Sequence, residues 1–259
     1  VMGAIYRWDT GTGKALTPEA GDSIVEQILV TPDGRRVVTR GQDGDAHIWD
    51  GKTGKHLRVF RAAWQRGMAM SPDGRFLVWP VADTSVKFTD PQSPNTIYDG
   101  SRIRLYDITA DKRVDRFPGF KGDAEDLTFT HDGKKLITVD HRDGMVRIWN
   151  VEAGKEERSF QAVPQAEKKQ SHHIWRTALT PDGKTLAVGS YAVRAGGGLG
   201  FRGAPPLVRL WDVASGQEKH TLNGYLHYVL DMAFSPDGRL LVTASEKPSQ
   251  VFVWDAITG

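Results

Sequence analysis

The chain of 259 residues contains no cysteine, which excludes disulfides, thiolate metal sites and a cysteine nucleophile. It also carries little net charge, because 34 lysines and arginines stand against 32 aspartates and glutamates, leaving +2. A balance so close to zero argues against a nucleic-acid or membrane-surface partner. No apolar run approaches the ~18 residues that a membrane-spanning helix needs, and no charged-then-apolar leader opens the sequence. A cytoplasmic protein is the expectation that follows. With 28 glycines and 13 prolines, long uninterrupted helices are disfavoured and many short strands are favoured. The 39% of hydrophobic and 25% of charged residues still suit a chain that buries a core.

Internal self-similarity is the strongest feature present. Six segments end in an aromatic and a small polar residue: Trp8-Asp9, Trp49-Asp50, Tyr106-Asp107, Trp149-Asn150, Trp211-Asp212 and Trp254-Asp255. The aromatics are spaced 41, 57, 43, 62 and 43 positions apart, a base period with two enlarged units. Five of them are preceded by a turn, at Asp33-Gly34, Asp73-Gly74, Asp132-Gly133, Asp182-Gly183 and Asp237-Gly238. Each unit reads as four short strands rich in Val, Ile, Leu and aromatics. Around Trp149 these are expected over 124–130, 135–140, 145–149 and 155–160. Four strands at this period predict an all-β chain, a β-propeller of four-stranded antiparallel blades with about six represented.

The repeated Pro-Asp-Gly-Arg/Lys turn and the closing Trp-Asp resemble WD40 repeats, in a style met in bacterial proteins. The resemblance spans the whole chain as a single domain, 1–259. Its blade units are expected at 1–18 (partial), 22–60, 64–117, 122–160, 173–222 and 226–259, the last without its final strand. It assigns Trp8, Trp49, Tyr106, Trp149, Trp211 and Trp254 to packing. Asp43 and Asp143 take the place of the family's turn aspartate. The Gly-His pair that usually bonds this aspartate is absent from every unit. Gly119-Phe120 and Gly224-Tyr225 stand in its place in two units, so apolar packing or other residues must take over its stabilising role. The incomplete end units read as a segment of a longer propeller.

In propellers of this family, the loops from second to third strands and from one blade to the next share one face. All three enlargements of this sequence fall there, near 82–101, 161–172 and 191–206. Loops on a rigid scaffold tend to carry function. Tyr98, His172, His173, Arg194, Phe201, Arg202 and Tyr225 are therefore the candidate contacts, aromatics and arginines being common anchors. Trp175 and Tyr228 fall near the starts of first strands and read as core rather than contact.

No catalytic constellation emerges. Gly198, Gly200 and Gly203 match a dinucleotide-binding spacing, but Pro205-Pro206 and a strand follow where that mechanism needs a helix. His172 and His173 lack a third metal ligand and read as an exposed loop pair. Asp140, His141 and Asp143 fall in a tight turn, where Asp and Gly serve backbone geometry. Neither a metal nor another cofactor is expected. The sequence thus points to a non-enzymatic module binding a protein or peptide through its loop-bearing face. The alternative is the sensor or substrate-binding propeller of a larger bacterial enzyme, such as a kinase, protease or cytochrome-linked protein.

Overall fold

A computed structural model describes residues 7–8, 11–12, 15–16, 25–42, 44–60, 67–90, 93–114, 116–117, 120, 124–140, 144–163, 170–194, 206–225, 227, 229–245 and 249–259. The aspartate turn shows why the repeat folds locally as it does. Thr130 Oγ1 donates to Asp132 Oδ1 at 2.6 Å and accepts from Lys135 N at 3.0 Å. Asp132 Oδ1 also accepts from Lys134 N, and Gly133, at φ 68°, donates its N–H to Thr130 O. One threonine, one aspartate and one left-handed glycine therefore satisfy the turn's backbone and start the next strand. The same bonds recur around Asp33, Asp182 and Asp237. They hold those carboxyls below the usual carboxylate range, the hydroxyl bond being the largest cause in each.

The strands this turn connects form antiparallel sheets in chain order. β3 (Val25–Val30), β4 (Arg36–Gly41), β5 (Ala46–Asp50) and β6 (His56–Phe60) make the first. β7 (Ala69–Met70), β8 (Phe76–Asp90), β9 (Ser93–Asp107) and β10 (Lys112–Val114) make the second. β11 (Ala124–Phe129), β12 (Lys135–Asp140), β13 (Met145–Asn150) and β14 (Lys155–Gln161) make the third, each within a residue of expectation. β15 (Gln170–Leu179), β16 (Thr185–Arg194), β17 (Leu207–Asp212) and β18 (Glu218–Leu222) make the fourth. β19 (Val229–Phe234), β20 (Leu240–Ser245) and β21 (Gln250–Asp255) make a three-stranded fifth. Among the described residues five propeller blades thus stand where about six were expected; at the sixth, β1 (Arg7–Trp8) pairs with β2 (Ala15–Leu16).

Alternation along each strand feeds two different cores, one on either side of its sheet. Leu136 packs toward the second sheet with Phe76, Leu105 and Phe129, whereas its neighbour Ile137 packs toward the fourth with Ile148 and Leu186. Four such cores join the five sheets in sequence. The outer faces of the first and fifth sheets are different. Val251 and Val253 are 69% and 62% exposed, yet their repeat equivalents Val146, Ile148, Val208 and Leu210 are at most 2% exposed. Ile28 and Val30 are exposed likewise, while Leu127 and Phe129 at the same repeat positions are buried.

The closing tryptophans find a hydrogen-bond acceptor on the second strand of their own blade. Trp49, Trp149 and Trp254 each donate Nε1 to Thr39, Thr138 and Thr243, at 2.9, 3.1 and 3.1 Å. In the fourth sheet that position is Val188, and Trp211 Nε1 is buried with no partner among the described residues. In the second it is Trp79, whose own Nε1 is likewise unpaired. Part of the polar network expected to be missing is therefore present, wherever threonine occupies this one position.

Candidate functional site at the mouth of the central channel

Four of the five innermost strands carry the same irregularity. A register shift lies between Val25 and Gln27, Ala124 and Asp126, Ile174 and Arg176, and Val229 and Asp231. A bulge at this point twists the strand and re-aims the residue that follows it. The residues after the shift, together with Gly67 of the second blade, lie six positions before each turn aspartate. Gln27, Gly67, Asp126, Arg176 and Asp231 thus come from five different blades and line one cavity of about 650 Å³. Glu26, Arg40, Met68, Thr177 and Leu230 complete its wall.

Hydrogen bonds across the ring tie neighbouring blades together. Gln27 Nε2 donates to Met68 O at 2.8 Å, from the first blade to the second. Thr177 N and Oγ1 both donate to Asp126 Oδ2, at 2.9 and 2.6 Å, from the fourth blade to the third. Arg40 Nη1 pairs with Glu26 Oε2 at 3.0 Å across β3 and β4. Part of Asp126 faces the cavity, yet it sits deep among the inner strands, and burial pushes its carboxyl above the usual range. The two Thr177 bonds and the nearby Arg176 charge work in the opposite direction.

The described strand portions of the enlargements lie at this same end of the molecule. The stretch near 82–101 is a continuation of β8 and β9, paired out to Phe88–Tyr98 and Asp90–Ser93. β15 and β16 also run on past the sheet, pairing His172 with Ala192, His173 with Tyr191 and Gln170 with Arg194. Both extensions leave their blades opposite the Asp-Gly turns. Sequence reasoning expected loops here, with His172 and His173 as a loop pair. The structure places both in a strand, because β-branched and aromatic residues let the ladder continue.

The candidate contacts therefore separate. Tyr98, His172, His173 and Arg194 lie on strand extensions at the channel-mouth end. Phe201 and Arg202 lie outside the described residues, as do Tyr228, Asp43, Asp143 and the 198–203 glycine pattern. Trp175 falls in β15 at the bulge. Tyr225 corrects the expectation: it is 1% exposed and packs against Phe252 and Trp254 in the core between the last two blades. Its aromatic body is too large and apolar to remain outside that core. The cavity ring itself was missed, although counting six residues back from each turn aspartate would have found it. Among the described residues, no group of three or more His, Asp or Glu could hold a metal ion.

Comparison with known proteins completes the description. The family described as WD domain, G-beta repeat, matches residues 111–150 and 216–255. WD repeat-containing protein SL1-17 of Schistosoma mansoni is 29% identical over 159 residues, covering 61% of this chain and 45% of its own length. A guanine nucleotide-binding protein subunit beta of Solanum tuberosum is 22% identical, over 88% of this chain and 67% of its own. Small ribosomal subunit protein RACK1 of Caenorhabditis elegans is 24% identical over 56% of this chain and 42% of its own. This chain therefore spans about half the length of several such relatives. Kuenenia stuttgartiensis hydrazine synthase shares the fold, with a TM-score of 0.73 at 18% identity over 98% of this chain and 70% of that one.

Proposed function

We propose that this chain, a member of the WD40-repeat family, works as a non-enzymatic scaffold that holds a protein or peptide at the channel-mouth face. One observation carries the reading: two strand-extended hairpins and a polar cavity lined by all five blades open at the same end. Such a cavity can take a side chain, while the extended strands offer backbone edges to the segment around it. Two relatives are, by name, subunits of larger assemblies, which supports a role in assembly for this chain as well. The inner-ring carboxylates support binding rather than acid–base chemistry, because Asp126 already accepts both Thr177 donors.

The test compares two alanine variants in affinity capture, with each recovered partner then measured by calorimetry. Tyr98→Ala, Phe201→Ala and Arg202→Ala together should weaken a direct partner at least tenfold. Lys134→Ala with Lys184→Ala, on the opposite turns, should leave the same partner unaffected. Equal binding by both variants would place the partner elsewhere.

A further inference from the structure

The loop from β18 to β19 carries Asn223-Gly224, the one Asn-Gly step in the sequence. Both residues are exposed. The related Asp-Gly steps of the repeat turns are restrained in two ways. At Gly34, Gly74, Gly133, Gly183 and Gly238, the glycine N–H donates to the carbonyl three residues back at 2.8 Å. Asp33, Asp132, Asp182 and Asp237 each accept a hydroxyl and a backbone N–H on Oδ1. Those bonds, the hydroxyl first, hold the four carboxyls ionised below their usual range. Gly224 has neither restraint. Its N–H makes no hydrogen bond with the described residues. Its φ is 112°, and open space surrounds the point where a Cβ would stand. The Asn223 amide is held by one contact, Nδ2 to Thr221 O at 3.3 Å, just beyond the usual range.

We infer that Asn223 is a self-modification site, at which the unbonded Gly224 nitrogen closes on the side-chain amide and turns the residue mainly into isoaspartate. Gly224 N forms a bond to Asn223 Cγ, and the Cγ–Nδ2 bond breaks. Nδ2 leaves as ammonia, carrying the proton that Gly224 N gives up. Water then opens the five-membered imide. Addition at the main-chain carbonyl leaves an isoaspartyl link with one more backbone methylene, and addition at Cγ leaves aspartate. Glycine suits the attack because no Cβ shields its nitrogen. In the aspartate turns an ionised carboxylate resists attack and a bonded N–H is a poor nucleophile. The product matters in two places. The pairing of β18 and β19 puts this loop opposite the Asp-Gly turns, so a carboxylate is added at the channel-mouth end. The extra methylene falls two residues ahead of Tyr225, whose ring is fixed 5.3 Å from Phe252 and 5.7 Å from Trp254.

The test incubates the full chain at neutral pH for weeks, then maps its peptides by mass and detects isoaspartate by enzymatic methylation of the new carboxylate. The Asn223 peptide should convert at least ten times faster than any peptide carrying Asp33, Asp132, Asp182 or Asp237. Asn223→Gln, which would have to close a larger ring, should slow conversion of this peptide at least tenfold and leave the urea midpoint of the fresh chain unchanged. The converted fraction, separated by anion exchange, should unfold at a lower urea midpoint than the unconverted one. Conversion at Asn223 no faster than at the aspartate turns would overturn the site. So would an Asn223 that reacts only when the chain is unfolded in urea, because the fold would then protect it. Equal midpoints of the two fractions would overturn the effect on Tyr225.

Discussion

The phenol oxygen of Tyr225 lies 3.0 Å from Thr243 Oγ1, which also accepts the indole proton of Trp254 at 3.1 Å. Burial pushes this phenol up to about 12, so it stays protonated at neutral pH and can take part as an O–H. Tyr225 stands where the family usually has a histidine, and its hydroxyl makes a polar contact there by another route. Phe120 takes the same place beside Trp149, with ring centroids 5.8 Å apart and no hydroxyl to offer.

Tyr225→Phe should therefore destabilise the chain by about 1 kcal/mol, the usual net value of one hydrogen bond. Phe120→Tyr should gain a similar amount by reaching Thr138, which already accepts from Trp149. Urea midpoints measured on both variants check the pair. Shifts of the same sign would mean that the hydroxyl is not the cause.

Val188→Thr should stabilise the chain, by about 1 kcal/mol, because it gives the unpaired Trp211 Nε1 the acceptor its sister tryptophans have. Thr138→Val makes the reverse change and should cost about 1–3 kcal/mol, since it strands a buried donor. Thermal or urea unfolding reads both, and a destabilised Val188→Thr would show that the indole is satisfied in another way.

One substitution placed at two equivalent repeat positions separates burial from sequence. Val146 is fully buried in an inter-blade core, whereas Val251 is 69% exposed on the outer face of the fifth sheet. Val146→Ala should cost about 2 kcal/mol through lost transfer energy and the cavity left behind. Val251→Ala should stay within about 0.5 kcal/mol. Equal losses would mean that the outer face is covered in solution.

The aspartates give opposite pH dependences. Thr180 holds Asp182 below its ordinary range, so this contribution is present above the unfolded value and fades as pH falls through the folded one. The deficit of Thr180→Val should accordingly shrink below about pH 4. Asp126 is raised by burial, so its ionised form weighs against the fold as pH rises. Asp126→Asn keeps an acceptor for Thr177 and removes the charge. Its stability relative to the parent should rise between pH 4 and pH 8, and urea midpoints along that range would reveal a flat or falling difference.

The sequence by itself determined the local units and their order. Thr130, Asp132 and Gly133 specify a turn with their own side chains and backbone, and alternation specifies which face of each strand is buried. Neither needs a distant partner, so β11 to β14 could be placed within a residue. Tertiary structure decided everything that depends on which blade lies beside which. Tyr225 resembled a surface aromatic until Phe252 and Trp254 enclosed it. The stretches around Tyr98 and His172 resembled loops until their ladders paired. The cavity ring joins residues forty to sixty positions apart along the chain, one from each blade, and only the curvature of five stacked sheets makes them neighbours.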